Sequence, residues 1–162
     1  MDYDIDKTTR TCAASGREIP AGETFYSVLV REGADVKRLD YAADAWTAPP
    51  ENAIGWWKST MAERDAAKKQ KLAPSEVLLE LFRELEDSVE RRDLRYVLTL
   101  LLIRRRLMRL EETVKEDDGS ETLVLYCARD EQTYRVAVVV PDEARASEIQ
   151  AYLTQLLFQP AG

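Results

Sequence analysis

The residue types that most often carry nucleophilic and acid–base chemistry are scarce in this chain. It contains no histidine and only two cysteines, Cys12 and Cys127. Without histidine, Ser–His–Asp catalysis, Cys–His catalysis and histidine-based metal sites cannot be built within the chain. Cys127 stands among apolar residues of a predicted strand, which indicates a buried thiol, whereas we expect Cys12 to be exposed. We expect neither to be a catalytic thiol.

Carboxylates are the remaining candidates for catalysis, and the most suggestive of them lie in predicted turns: Asp117, Asp118, Asp130 and Glu131. Their spacing matches no calcium loop, and aspartate favours turns for its own backbone hydrogen bonding. The nucleotide-binding and nucleophile-elbow glycine motifs are also absent from the sequence. We therefore expect no catalytic residue, no metal site and no cofactor. A small magnesium-dependent hydrolase that uses carboxylates alone stays open as an alternative.

The most unusual charge feature is an arginine-rich segment that its hydrophobic pattern assigns to the second predicted helix. At about 100° per residue, Arg105, Arg106 and Arg109 fall on one side of that helix. Arg91 and Arg95 lie upstream on the same side. Such a stripe could bind RNA, an acidic partner or an anionic ligand. The alternative is that these arginines pair with acidic side chains of the chain itself, for which the planar guanidinium is well suited.

Two adjacent tryptophans, Trp56 and Trp57, stand in a stretch that is otherwise poor in core residues. Exposed tryptophans often anchor protein interfaces, whereas buried ones would hold this stretch onto the helical core. Lysines lie close to them, at Lys58 and in the cluster Lys68, Lys69 and Lys71, which keeps nucleic-acid binding open. The candidate partner-binding residues are Trp56, Trp57, Arg105, Arg106 and Arg109.

Two short motifs near the N-terminus have the spacing of zinc knuckles but lack most of the ligands. Residues 12–16, Cys-Ala-Ala-Ser-Gly, match C-x-x-C-G with Ser15 at the second ligand position. Residues 42–46, Ala-Ala-Asp-Ala-Trp, match C-x-x-C-W with Ala42 and Ala45 at the ligand positions. Structural zinc needs four thiolate or imidazole ligands, so we expect no metal here. The motifs predict a metal-free, zinc-ribbon-like hairpin; coincidence is the alternative.

Together with Gly-Glu-Thr-Phe-Tyr at 22–26 and Ala-Ile-Gly-Trp-Trp-Lys-Ser at 53–59, these motifs resemble an uncharacterised bacterial protein family. Its N-terminal zinc-ribbon-like hairpin has lost most of its metal ligands. The resemblance could extend over most of the chain. It implies a bacterial protein and supplies no catalytic residues.

Hydrophobic periodicity predicts an α+β fold. Its parts are an N-terminal β-hairpin region, a linker, an antiparallel helical hairpin, a C-terminal β-hairpin and a terminal helix. The first hairpin turns at 33–35, the second helix extends from about 90 to 110, and 117–119 form a second hairpin turn. The predicted segments are a β-rich, degenerate zinc-ribbon-like part (1–46), a linker with a tryptophan patch (47–74) and an α+β domain (75–162).

The overall charge limits the choice of partners. The chain has 23 Lys and Arg against 30 Asp and Glu, a net charge of −7. Such an acidic balance disfavours general binding to a phosphate backbone. The first residues are acidic and polar, unlike a signal peptide, and the longest apolar run, 96–103, is too short to span a bilayer. We expect a cytoplasmic protein without membrane contact.

The sequence therefore favours a non-enzymatic protein-interaction or regulatory module with a protein partner. The alternative is a nucleic-acid- or ribosome-associated accessory protein, in which the arginines and lysines would contact phosphates. The pathway, the identity of the partner and the oligomeric state are not encoded in any motif that we identify.

Overall fold

The structure, a computed structural model, describes residues 10–33, 35–62 and 72–158. Within these residues, two three-stranded antiparallel sheets and three α-helices form a mixed α+β fold, which confirms the predicted fold class. The chain divides into two compact units. The first unit comprises residues 2–81 and 150–162, and the second comprises residues 82–149. Each unit is described by itself.

The first unit is built on an antiparallel sheet with the strand order β2-β1-β3. Its central strand is rich in aromatic and β-branched residues, which favour a pleated, half-buried position. Glu32 pairs with Asp35 across the first hairpin, so the predicted hairpin is confirmed around its turn, although Ala34 lies outside the described residues. The strands are β1 (Thr24–Glu32), β2 (Asp35–Ala42) and β3 (Ala53–Thr60).

Strand β3 lies within 47–74, where the sequence predicted a linker with a tryptophan patch. Its inward and outward residues alternate over Trp56, Trp57, Lys58 and Ser59, as expected of a strand with one buried face. The lysines of the cluster 68–71 lie outside the described residues. Whether the segments 1–46, 47–74 and 75–162 act as separate domains stays a prediction.

One side of the central strand β1 is buried from Phe25 to Leu29. On β1, Phe25, Ser27 and Leu29 are each 0% exposed and lie on the same side of the strand. The C-terminal helix contacts strand β2 of this sheet, as shown by the hydrogen bond that the Tyr152 hydroxyl donates to the carbonyl of Val36. The opposite side of β1 carries Tyr26 together with Val28 and Val30, which are 0% and 5% exposed.

A buried polar network stabilises this face. The Arg38 guanidinium donates to Asp40 Oδ1 at 3.0 Å and to Ser27 Oγ at 3.0 Å. It also donates to the carbonyls of Gln155 and Phe158 at the end of the C-terminal helix. The Arg38 and Asp40 side chains are only 4% and 5% exposed. The Arg38 guanidinium and the Asp40 carboxylate neutralise each other and form hydrogen bonds with neighbouring groups. Burial of this pair therefore leaves no isolated charge in the core.

The second unit contains a sheet with the strand order β4-β5-β6. The predicted hairpin turn at 117–119 is confirmed, and Gly119 there has a φ of 90°, which glycine adopts without strain. The strands are β4 (Arg109–Lys115), β5 (Glu121–Cys127) and β6 (Gln132–Ala137). The helices within the described residues are α1 (Ser75–Glu84), α2 (Arg92–Arg104) and α3 (Glu143–Leu157), with short 3-10 turns at Ala43–Ala45 and Val89–Arg91.

Helix α2 supplies an apolar stripe to the core of the second unit. Leu94, Leu98 and Leu102 recur every four residues and are at most 1% exposed. Cys127 is 0% exposed, as its sequence context predicted, and both cysteines are free thiols. No helix in the described ranges combines the length and the apolarity that crossing a membrane requires.

Helix α2 is shorter than its sequence predicted, and the expectation that it continues to residue 110 is wrong. It ends at Arg104 in a Schellman motif: the Leu107 N–H donates to the Leu102 carbonyl at 2.9 Å, and the Arg106 N–H to the Ile103 carbonyl at 2.9 Å. Arg106 takes the left-handed position, with a φ of 61°. Glycine usually occupies that position, and its absence removed the signal that predicts a helix end.

Candidate functional site

Four aromatic side chains of the first unit form a continuous cluster, which we call the aromatic patch. Tyr26 and Trp46 stack with ring centroids 4.9 Å apart and an interplanar angle of 7°. Trp56 lies 6.0 Å from Tyr26 and 5.7 Å from Trp46, measured between centroids. Tyr41 lies 5.4 Å from Trp46. Every ring of the patch therefore contacts at least one other ring.

The sheet register explains how the patch is assembled. Tyr26 on β1 is directly opposite Tyr41 on β2, so both side chains lie on the same face. Trp56 on β3 is opposite Val28, two residues along β1 from Tyr26, and shares that face. The 3-10 turn after β2 then brings Trp46 back over the Tyr26 ring.

The aromatic patch differs from a cluster of core residues because one of its rings is exposed to solvent. Trp56 is 47% exposed, although tryptophan is a large apolar side chain. Lys58 is also exposed; it follows Trp56 by two residues and pairs with Tyr26 across the strands. The patch can therefore offer apolar and stacking contacts beside one positive charge.

Trp57, the other tryptophan of the predicted pair, has a different role. It is 8% exposed and lies on the buried side of β3, where the Arg38 guanidinium sits 5.2 Å from its ring centroid. Of the two alternatives that the sequence offered, anchoring fits Trp57 and an accessible interface position fits Trp56.

The four knuckle positions come together in the first unit. Cys12 and Ala42, 1% and 0% exposed, belong to one buried apolar cluster, and Ala45 packs against it. Burial opposes ionisation of the Cys12 thiol, but hydrogen bonds from the Ser15 hydroxyl and from the backbone of Ser15, Ala42 and Ala14 lower its pKa below the ordinary value. The expectation that Cys12 is exposed is wrong, because the knuckle turn points its side chain inward.

No group of three or more His, Cys, Asp or Glu side chains that could hold a metal ion occurs in residues 10–33, 35–62 and 72–158. The four knuckle positions hold one thiol, Cys12, one hydroxyl, Ser15, and two alanines, Ala42 and Ala45.

The arginines of the second unit do not form a helical stripe. Arg105 and Arg106 are exposed in the turn that follows α2, and Arg109 lies on β4. Arg109 pairs with Glu111 at 2.8 Å and lies 5.5 Å from the Tyr126 ring centroid. The stripe prediction is wrong because it assumed helical geometry through residue 110.

The two upstream arginines of the predicted stripe are buried. Arg91 is 2% exposed and Arg95 is 7% exposed. The Arg95 guanidinium lies 4.2 Å from the Phe82 ring centroid and donates to the Phe82 and Arg135 carbonyls. Burial lowers the Arg95 pKa from its ordinary value, and the nearby carboxylates of Glu86 and Asp87 partly oppose this shift. These side chains therefore belong to the core and not to a binding surface.

Among the turn carboxylates, Asp130 is held most firmly. It accepts hydrogen bonds from Arg83 at 2.9 Å, from the backbone N–H of Gln132 at 3.1 Å and from the Tyr134 hydroxyl. Burial opposes its ionisation, but the hydrogen bonds from Arg83, Tyr134, Cys127 and Gln132 outweigh it and lower its pKa to about 2. A carboxylate so strongly committed to its charged form fixes the β5–β6 turn and is a poor general acid.

No protein family, characterised protein or solved structure that we compared with the chain matches it. The candidate site therefore rests on geometry. The sequence analysis identified Trp56 but missed Tyr26, Tyr41 and Trp46. The pairing of Tyr26 with Tyr41 across the first hairpin would have indicated the aromatic patch, but this pairing can be predicted only when the register of the two strands is known.

Proposed function

We propose that this chain is a non-enzymatic, cytoplasmic protein-interaction module whose binding surface is the aromatic patch. The observation that carries the proposal is the exposure of Trp56, 47%, within a cluster in which Tyr26, Trp46 and Trp56 contact one another and Tyr41 contacts Trp46. Tryptophan and tyrosine are enriched among the residues that dominate binding energy at protein interfaces. Single exposed apolar residues are ordinary, but a contiguous aromatic cluster indicates a contact surface.

The preformed geometry of the patch also supports this proposal. The Tyr26–Trp46 stack and the contacts of Trp56 with both rings limit the rotamers that each side chain can adopt. A surface that is already ordered loses less conformational entropy when a partner binds. The partner we propose is a protein segment that places apolar side chains on the rings and a carboxylate beside Lys58.

The experiment is a comparison of tagged proteins purified from the native cells at moderate salt. We expect a stoichiometric protein partner with the wild type and with Val140→Ala, which shortens an exposed apolar side chain of the second unit (73% exposed). Trp56→Ala and Lys58→Glu should lose that partner. Equal recovery with all four proteins would refute the aromatic patch as the binding surface.

A second candidate function is nucleic-acid or ribosome association. The observation that favours it is Lys58 beside the exposed Trp56, because aromatic stacking and a nearby cation are how many proteins hold single strands. This binding would weaken steeply as salt rises. Recovery of RNA at low salt, its loss at moderate salt and its absence with Trp56→Ala would favour this candidate over the first.

We also propose that residues 10–62 form a zinc-ribbon-like frame in which apolar packing takes the place of the metal. The convergence of Cys12, Ala42 and Ala45 and the hydrogen bond from Ser15 to Cys12 support this proposal. The remaining members of the cluster are Ile19, Phe25 and Met61, each at most 2% exposed. In this frame the apolar cluster contacts Ala45 and so fixes the 3-10 turn that Trp46 follows.

A further inference from the structure

A cleft of about 460 Å³ opens in the second unit where α2 ends and β4 begins. Its volume lies within the range of small-molecule sites, about 300–1,000 Å³. The cleft is independent of the aromatic patch, which belongs to the first unit. The lining includes four apolar or aromatic side chains and two arginines: Leu107, Met108, Leu110, Tyr126, Arg106 and Arg109.

The apolar part of the cleft is incompletely covered. Leu110 on β4 is 44% exposed, while Met108 beside it is 4% exposed and anchors the wall to the core. A ligand with an aliphatic chain would remove the exposed Leu110 and Tyr126 surface from water, which is favourable.

The two arginines of the cleft differ in whether they form an ion pair. Arg109 already pairs with Glu111 at 2.8 Å. Arg106 is exposed, and no carboxylate within the described residues forms an ion pair with it. Arg104 and Arg105 complement the negative end of the α2 dipole, but Arg106 lies beyond the helix. One unpaired guanidinium beside an apolar wall suits a ligand with a single negative charge.

The backbone at Arg106 adds an independent observation. Its φ of 61° places a non-glycine residue at the left-handed position of the Schellman motif. Left-handed backbone disfavours side chains other than glycine, asparagine and aspartate. Residues held in such conformations concentrate at ligand-binding sites.

We propose that this cleft binds an aliphatic carboxylate, whose chain lies on Leu107, Leu110 and Tyr126 and whose carboxylate accepts hydrogen bonds from Arg106. A carboxylate fits better than a phosphate because Arg109 is already paired with Glu111, so that Arg106 is the one arginine of the cleft lining without an ion pair among the described residues. The guanidinium fork can hold both carboxylate oxygens.

The test is an NMR titration of the full chain with octanoate as the probe. We expect amide shifts that saturate, with a Kd on the order of 0.1–1 mM, concentrated at residues 106–110 and at Tyr126. Octylammonium should bind at least tenfold more weakly because its charge has the wrong sign. Arg106→Asn, which tolerates the left-handed backbone, and Leu110→Asn should each weaken octanoate binding about tenfold or more.

Arg92→Gln is the matched control, since it removes an exposed arginine at the other end of α2, about 20 Å away at 1.5 Å per residue. It should leave the affinity unchanged. Octyl phosphate tests the choice of anion, and we expect it to bind no more tightly than octanoate. No saturable shifts, tighter binding of octyl phosphate, equal binding of octylammonium, or equal loss with Arg92→Gln and Arg106→Asn would each overturn the proposal.

Discussion

The ring of Trp46 lies flat against the ring of Tyr26, with centroids 4.9 Å apart and planes 7° from parallel. This stack joins a residue that follows β2 to the central strand β1. Trp56 from β3 completes the contact at 5.7 Å from Trp46. The aromatic patch is therefore tied to all parts of the first sheet, so the fold itself positions the proposed binding surface.

The two adjacent tryptophans should respond very differently to truncation. Trp57→Ala removes a side chain that is 92% buried beside Arg38, and we expect it to lower the free energy of unfolding by about 3–5 kcal/mol. Trp56→Ala removes a half-exposed ring and should lower it by about 1 kcal/mol. Urea unfolding followed by circular dichroism measures both. Equal losses would contradict the inward and outward assignment on β3.

Asp130 should make the stability of the second unit depend on pH in acid. Its folded pKa of about 2 lies below the ordinary 3.8, so its contribution is complete above about pH 5 and is lost as the pH falls from 3.8 through 2. The shift corresponds to about 2 kcal/mol. Asp130→Asn should therefore destabilise the protein at pH 7 and much less at pH 2.5.

Urea unfolding of Asp130→Asn and the wild type at the two pH values measures this difference. Asp117→Asn controls for the loss of one negative charge, since it removes an exposed carboxylate of the β4–β5 turn. A difference between Asp130→Asn and the wild type that stays constant with pH would show that the Asp130 charge is not what stabilises the turn.

Arg106→Gly should stabilise the fold while it removes the proposed cation of the cleft. Glycine adopts the observed φ of 61° without a Cβ penalty, so we expect a gain of about 1 kcal/mol in the free energy of unfolding. Chemical denaturation provides the measurement, with Arg92→Gly as a control that should not stabilise the fold, because Arg92 has no left-handed backbone to relieve. Destabilisation by Arg106→Gly would mean that the arginine side chain contributes to folding.

The zinc-ribbon-like frame should regain a metal site when its missing ligands are supplied. The triple variant Ser15→Cys, Ala42→Cys, Ala45→Cys places three thiols around Cys12, which gives the four ligands that structural zinc requires. We expect one equivalent of tightly bound zinc and tetrahedral thiolate spectra with cobalt.

The same three substitutions in a chain that also carries Cys12→Ala should bind zinc much more weakly, because only three thiolates remain. Absence of stoichiometric zinc in the triple variant, with the fold intact by circular dichroism, would reject the frame and favour coincidental spacing.

The sequence predicted elements wherever periodicity and stop signals agreed. Helix α1 begins at Ser75, where the predicted α+β segment 75–162 also begins, and the turn at 117–119 joins two strands. The end of α2 was misjudged because Arg106 occupies a position where glycine would have marked the stop. Because the helix ends six residues earlier than predicted, Arg109 lies on strand β4 and the predicted arginine stripe does not form.

The candidate site was harder to predict because it depends on pairing between distant segments. Trp56 was identifiable by its residue type, but its contacts with Tyr26 and Trp46 follow from the register of three strands. Strand β3 was not recognised from the sequence. One of its outward positions holds an apolar tryptophan and the next a lysine, so the alternation of apolar and polar residues extends over only a few positions. The knuckle spacing drew attention to Cys12 but gave no measure of its burial.

The most direct test of the central claim is the affinity of the purified partner for the wild type and for Trp56→Ala, measured by calorimetry. We expect Trp56→Ala to weaken binding by at least about thirtyfold, the effect of losing a residue that dominates an interface. Val140→Ala should bind like the wild type. An unchanged Kd for Trp56→Ala would contradict the proposal that the aromatic patch is the binding surface.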